Sequence, residues 1–137
     1  MIAVLVLATG ITTASALAGS APRSGDLVVT KECSGFVNDP PYCTITSSNL
    51  AAIPDGSRII YLDPAGLGTA TGSTVVLDPP GPGNNKAFGT CFLGSNPMHC
   101  EFSGGTGRFT WFHASVVVTV DGEGLWHWAG TYSFTPH

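Results

Sequence analysis

Apolar and β-branched residues recur along this chain with a period of two, the spacing that sends alternate side chains to opposite faces of a strand. The pattern is clearest in the last third. Over a strand expected from about Thr110 to Val120, Phe112, Ala114, Val116, Val118 and Val120 share one face. Trp111, His113, Ser115, Val117 and Thr119 take the other. After a reversal at Asp121-Gly122-Glu123-Gly124, a second strand from Leu125 to Phe134 sets Trp126, Trp128, Tyr132 and Phe134 against Leu125, His127, Ala129 and Thr131. Both faces of this hairpin are fairly apolar, which predicts a ligand or a subunit contact on the face away from the core.

Six shorter strands precede it, expected over Asp26 to Glu32, Tyr42 to Ser47, Arg58 to Asp63, Thr74 to Leu77, Ala87 to Leu93 and His99 to Ser103. Turn residues separate them. Ile53-Pro54-Asp55-Gly56 is a turn, Pro64 to Gly72 is a loop of small residues, and Asp78 to Asn85 holds three prolines and two glycines that no strand can cross. No segment beyond the N-terminal stretch has the period of a helix. About eight antiparallel strands predict an all-β fold, a sandwich or a closed barrel. Closure removes exposed edges more completely, so the expected architecture is a closed antiparallel β-barrel.

Composition agrees. The 137 residues suit one domain, and only 10% are charged while 18 are Gly and 10 are Pro. The net charge of −4 and the five scattered basic residues argue against nucleic acid as a partner.

The N-terminus reads as a targeting segment. Met1 to Ala8 is almost wholly apolar, and small residues follow up to Ala16-Leu17-Ala18, the A-x-A form of a signal peptidase site. Residues 1–18 are therefore expected to be a signal peptide and 19–137 a single β-barrel domain. Thr9, Thr12, Thr13 and Ser15 interrupt the apolar run too early for a membrane span, so no membrane contact is expected after cleavage. A secreted or extracytoplasmic location makes disulfides of the four cysteines. Of the three pairings, Cys33–Cys43 and Cys91–Cys100 are favoured because each brackets a turn, Asn38-Asp39-Pro40-Pro41 and Gly94-Ser95-Asn96-Pro97. Each staple is worth about 2.5–3 kcal/mol in the chain-entropy description. Close cysteine pairs of the zinc-binding kind are absent, and no metal or cofactor is expected.

No catalytic constellation is legible. The glycines from Gly104 to Gly107 lack the Lys and Ser/Thr of a phosphate-binding loop and precede a strand. No strained G-x-S-x-G elbow marks a nucleophilic serine. His113 and His127 lie on neighbouring strands and are candidate cross-strand neighbours, with Asp121 or Glu123 the nearest acids to complete a site. Asp63 and Asp78 each end a strand, which is ordinary turn chemistry.

The run Gly104-Gly105-Thr106-Gly107-Arg108-Phe109, the Ala- and Val-rich strand after it and the closing Gly130-Thr131-Tyr132 resemble the allene oxide cyclase and dirigent barrel superfamily. The two cysteine pairs, with Tyr42-Cys43-Thr44-Ile45-Thr46 and Cys100-Glu101-Phe102, are similar to a secreted, disulfide-stapled bacterial branch. The likeness covers about residues 100–134. It implies an eight-stranded antiparallel barrel, frequently trimeric, whose apolar cavity holds a reactive small molecule so that cyclisation or coupling gives one stereoisomer. If the protein is an enzyme, the resemblance implies an isomerase or cyclase. Arg108 and Phe109 are expected to begin the strand, and Gly130 to let the last strand approach a neighbour.

On these grounds the expected function is binding of a small hydrophobic molecule inside the barrel, with Tyr61, Trp111, His113 and Trp126 as pocket residues. The alternatives are a non-catalytic secreted structural or interaction protein, or a carbohydrate-binding module.

Overall fold

The computed structural model describes residues 23–63 and 72–136. The expected signal peptide lies outside the described residues. Eight strands follow one another: β1 (Ser24–Glu32), β2 (Tyr42–Ser48), β3 (Arg58–Tyr61), β4 (Ser73–Asp78), β5 (Ala87–Phe92), β6 (Met98–Gly105), β7 (Phe112–Val120) and β8 (Trp126–Phe134). Each pairs antiparallel with the next, and β8 returns to β1, closing the barrel. The fold is thus the all-β closed barrel that the alternation predicts. Both disulfides form in the favoured pairing, Cys33–Cys43 and Cys91–Cys100.

Alternation decides what lies inside. Leu27 and Val29 from β1, Ile45 from β2, Ile59 from β3, Val75 and Leu77 from β4, and Phe112, Val116 and Val118 from β7 are all buried. From β8 Trp128 and Tyr132 point the same way. The face of the final hairpin carrying Phe112 and Trp128 is therefore the interior, and His113, Val117, His127 and Ala129 face out. Gly130 sits opposite Val116. A Cβ there would run into the Ser115 carbonyl oxygen and the Val116 Cα, so glycine is what lets β8 lie this close to β7.

Because the strands run up and down, the connections gather at two ends. At one end β1, β3, β5 and β7 finish and β2, β4, β6 and β8 start. Both disulfides lie here, as does a short 3₁₀ turn, Ser34–Val37, inside the first cysteine loop. We call it the stapled end. The other end is closed by aromatic rings. Phe109 packs edge-on against Phe112 with centroids 5.2 Å apart, and Phe112 meets Phe134 at 5.1 Å.

One expectation is corrected here. Arg108 and Phe109 do not begin the strand; they belong to a 3₁₀ turn, Gly107–Phe109, and β7 starts at Phe112. The reason is in the turn itself. Gly107 has φ +57°, and the Arg108 amide donates to the Asn85 side-chain oxygen at 3.0 Å while the Thr106 hydroxyl donates to the Asn84 carbonyl at 2.9 Å. These bonds tie the glycine run to the proline-rich loop and roll Phe109 inward as a plug.

Candidate functional site

The most unusual side chain in the barrel is Lys31. The β1 alternation that buries Leu27 and Val29 also turns Lys31 inward, where it is 0% exposed. On β1 it pairs with Trp126 of β8 and, beyond a bulge, with Ile45 of β2. Its Nζ donates to Tyr61 Oη at 3.1 Å and lies over the Trp128 ring, 4.9 Å from the centroid. It takes part in none of the ion pairs among the described residues. Burial pushes the amine down from 10.5 to about 7, because an apolar interior penalises the charged form. The same desolvation raises the Tyr61 phenol above its ordinary value and keeps it protonated.

Around this pair the aromatic rings form a continuous column. Phe102 joins the far-end cluster to Trp128, with centroids 6.2 Å from Phe112 and 5.5 Å from Trp128. Lys31 then bridges Trp128 to Tyr61, and Tyr61 meets Phe36 of the first cysteine loop edge-on at 5.1 Å. Among the described residues the Trp128 indole N–H finds no hydrogen-bond partner. Such a buried donor calls for an acceptor.

Above the column, an apolar pocket of about 220 Å³ opens at the stapled end between Cys33, Phe36, Cys43, Tyr61, Leu93 and Trp126. It is smaller than the roughly 300–1,000 Å³ of sites for drug-sized ligands, so it suits a small molecule. Val37, Leu62 and Val120 at this end are exposed, which makes the surroundings of the mouth apolar as well.

The four residues expected in one pocket occupy three places. Tyr61 and Trp126 line the stapled-end pocket together. Trp111 stands 49% exposed at the far end, in a groove of about 650 Å³ that also runs past Arg23, Asn49 and Arg108. His113 faces outward into a broad trough of about 740 Å³ on the wall formed by β5 to β8, beside Glu101, Ser103 and Ser115 with Phe88 and Phe92. For His113 the physical reason is the parity of β7, with Phe112 and Ala114 inward; Trp111 lies in the turn ahead of β7.

The histidines also separate. His113 sits opposite Ser133 and His127 opposite Thr119, toward opposite ends of the β7–β8 ladder. Asp121 does fold back on His127, with Oδ2 2.6 Å from Nε2, and Thr30 Oγ1 lies 3.2 Å from its Nδ1. That hydrogen bond from His127, followed by those from the Leu125 and Glu123 amides, holds the Asp121 carboxyl below its usual range. The arrangement pins the β7–β8 turn. Among the described residues no three His, Cys, Asp or Glu side chains gather as a metal site would require.

Lys31 and Phe36 escaped the sequence reading, while Trp128 belongs to the aromatic face of the last strand but was not among the expected pocket residues. A signal for Lys31 was present, since Leu27, Val29 and Lys31 share one parity, which puts a lysine on the buried face. Phe36 had none, because a loop residue's direction is set by the fold around it.

No protein-family model, curated protein or solved structure matches this chain, so the likeness to the allene oxide cyclase and dirigent barrels rests on the quoted motifs alone.

Proposed function

We propose that this protein binds a small hydrophobic molecule in the pocket at the stapled end of the barrel, and that it works outside the cytoplasm as a secreted protein. The observation that carries the reading is the joining of Tyr61 and Trp126 in one apolar pocket, with the Tyr61 hydroxyl hydrogen-bonded to the buried Lys31 amine. Aromatic walls supply apolar area with few rotamers to freeze, and a polar tip at the floor orients the guest. Two disulfides suit an oxidising, extracytoplasmic setting. A pocket that holds its guest in one conformation and excludes water can steer a cyclisation or coupling without supplying a catalytic group. This is the chemistry the family resemblance implies.

Titration of the purified protein with 1-hexanol, followed by tryptophan fluorescence and native mass spectrometry, tests the reading. Tyr61→Ala and Trp126→Ala are expected to weaken binding at least about tenfold, each removing a ring from a buried contact. Trp111→Ala and His113→Ala, which alter other surfaces, leave it unchanged. Equal losses from all four variants, or no saturable binding, would sink the proposal.

The outer trough supports a second reading, a carbohydrate-binding surface. Short hydroxyl side chains floor it, Glu101 offers an acceptor, and Phe88 and Phe92 offer faces for stacking. Retardation on polysaccharide affinity gels, abolished by Phe88→Ala and untouched by Trp126→Ala, would favour it over the pocket.

A further inference from the structure

An amine without a counter-charge in an apolar interior differs chemically from a surface lysine. Lys31 Nζ has one hydrogen-bond acceptor among the described residues, the Tyr61 hydroxyl. All nine carboxylic side chains of the protein fall on described residues, and none is buried. Residues 64–71 contain no acid. The groups set against the amine are the Tyr61 hydroxyl and the Trp128 ring, and its ladder partners are Ile45 of β2 and Trp126 of β8. Tyr61 is the one titratable group among them. Among the described residues the amine has no counter-charge, only the faces of the Trp128 and Tyr61 rings, and burial in apolar surroundings favours the free base. The lowered value of about 7 agrees with that.

Lys31 does not itself line the pocket; its amine touches the hydroxyl of Tyr61, which does, and a neutral amine there is a nucleophile toward carbonyl carbon. The geometry points to Lys31 as a carbonyl-capturing residue: a small apolar aldehyde or ketone that enters the stapled-end pocket condenses with its amine to form an imine. The inference rests on that pocket's being the ligand site. In the addition step the nitrogen lone pair forms the C–N bond, the carbonyl π pair moves to oxygen, and that oxygen takes a proton. Tyr61 supplies the proton and recovers one from nitrogen, since its hydroxyl touches Nζ and its ring lines the pocket. The carbinolamine oxygen then leaves as water. One carbonyl and one amine give one imine and one water, with no oxidation or reduction. Protonation of the imine places a cation where Nζ now lies over the Trp128 ring, which favours it through the ring quadrupole.

The only other lysine, Lys86, is an internal control, because it is half-exposed and paired with Asp78 at 3.1 Å. The folded protein is treated with hexanal and cyanoborohydride at pH 7.5, and adducts are located by peptide mass mapping. Labelling of Lys31 is expected to exceed that of Lys86 by at least about tenfold, to be blocked by 1-hexanol, and to lose its preference in urea, since the free-base fraction and the pocket set the rate. Tyr61→Phe is expected to slow labelling of Lys31 about tenfold at saturating hexanal, where a change in affinity does not enter, the loss typical of a positioned proton donor. Equal labelling of the two lysines, or no adduct on Lys31 while hexanol binds, overturns the carbonyl capture and leaves the pocket standing. Failure of hexanol and hexanal alike overturns both. An unchanged rate in Tyr61→Phe overturns the role given to the phenol.

Discussion

The two ends of this barrel are built from the same strands and closed in opposite ways. At the far end, Phe109, Phe112 and Phe134 pack ring against ring, and the glycine turn that carries Phe109 is bonded to the proline-rich loop. At the stapled end, two disulfides hold the loops, a pocket remains, and a lysine occupies a position where the pattern would place an aliphatic residue. One end is closed by apolar packing that needs nothing further. The other is held by covalent bonds that tolerate a cavity and an unpaired amine. Disulfides constrain the unfolded chain, and stability obtained in that way does not depend on filling the interior. The stapled end can therefore be the working end while the far end serves as the foundation.

The contrast can be tested at the plug. Phe112→Ala removes a ring that is fully buried among three others and should cost about 3–5 kcal/mol. Chemical denaturation would measure it, and hexanol binding in the surviving folded fraction should be unchanged. Loss of binding together with stability would mean that the ends are not separable.

Lys31→Met should act in the opposite direction. The folded amine is pushed down from 10.5 to about 7, so between these values the unfolded chain binds a proton that the folded chain does not. Stability must then rise with pH across that window, and the penalty is complete below about pH 7. The gain from pH 6 to pH 10 is on the order of 4 kcal/mol. Tyr61, whose value is raised from 10.0, begins to oppose it above pH 10 because the folded state retains that proton longer. Melting curves of the native protein should therefore shift upward from pH 7 to 10, whereas Lys31→Met should be more stable at pH 6 and lack this rise. A flat native profile would show that Lys31 is not buried as an amine without a counter-ion.

Replacing Cys33 and Cys43 together by serine should cost about 2.5–3 kcal/mol and, unlike the plug substitution, should also weaken hexanol binding, because both cysteines and Phe36 wall the pocket. The smallest effect belongs to the β7–β8 turn. Asp121 is held below its usual range by His127 and two backbone amides, so its contribution is present at neutral pH and lost as pH falls through the lowered value. Asp121→Asn should remove that acid-side loss and speed amide exchange at Glu123 and Leu125 without altering exchange in β7.

Much of the fold was readable because it is local. Each strand announces itself through alternation and the turn that ends it, and each cysteine pair spans a single turn, so the two disulfides follow from neighbours in the chain. The arrest of β7 at Phe112 was not readable. The resemblance puts Arg108 and Phe109 at the start of the strand, and only the bonds accepted by Asn84 and Asn85, brought across from another loop, hold that stretch as a turn.

For the site the division is sharper. Sequence parity by itself put Tyr61 on a strand, set Trp126 and Trp128 on one face of β8, and placed Lys31 with Leu27 and Val29. It could not say which face of the last hairpin was inside, because both are apolar. Closure of β8 onto β1 made that choice by offering one face a filled interior and the other water. The same closure split Trp111 and His113 from Tyr61 and Trp126, and set Lys31 against Tyr61, a partner thirty positions away along the chain. Local sequence fixes periodicity, since sterics act between neighbours. Burial is a property of the closed sheet, and with it came the enclosed Lys31 amine and the pocket lined by Tyr61.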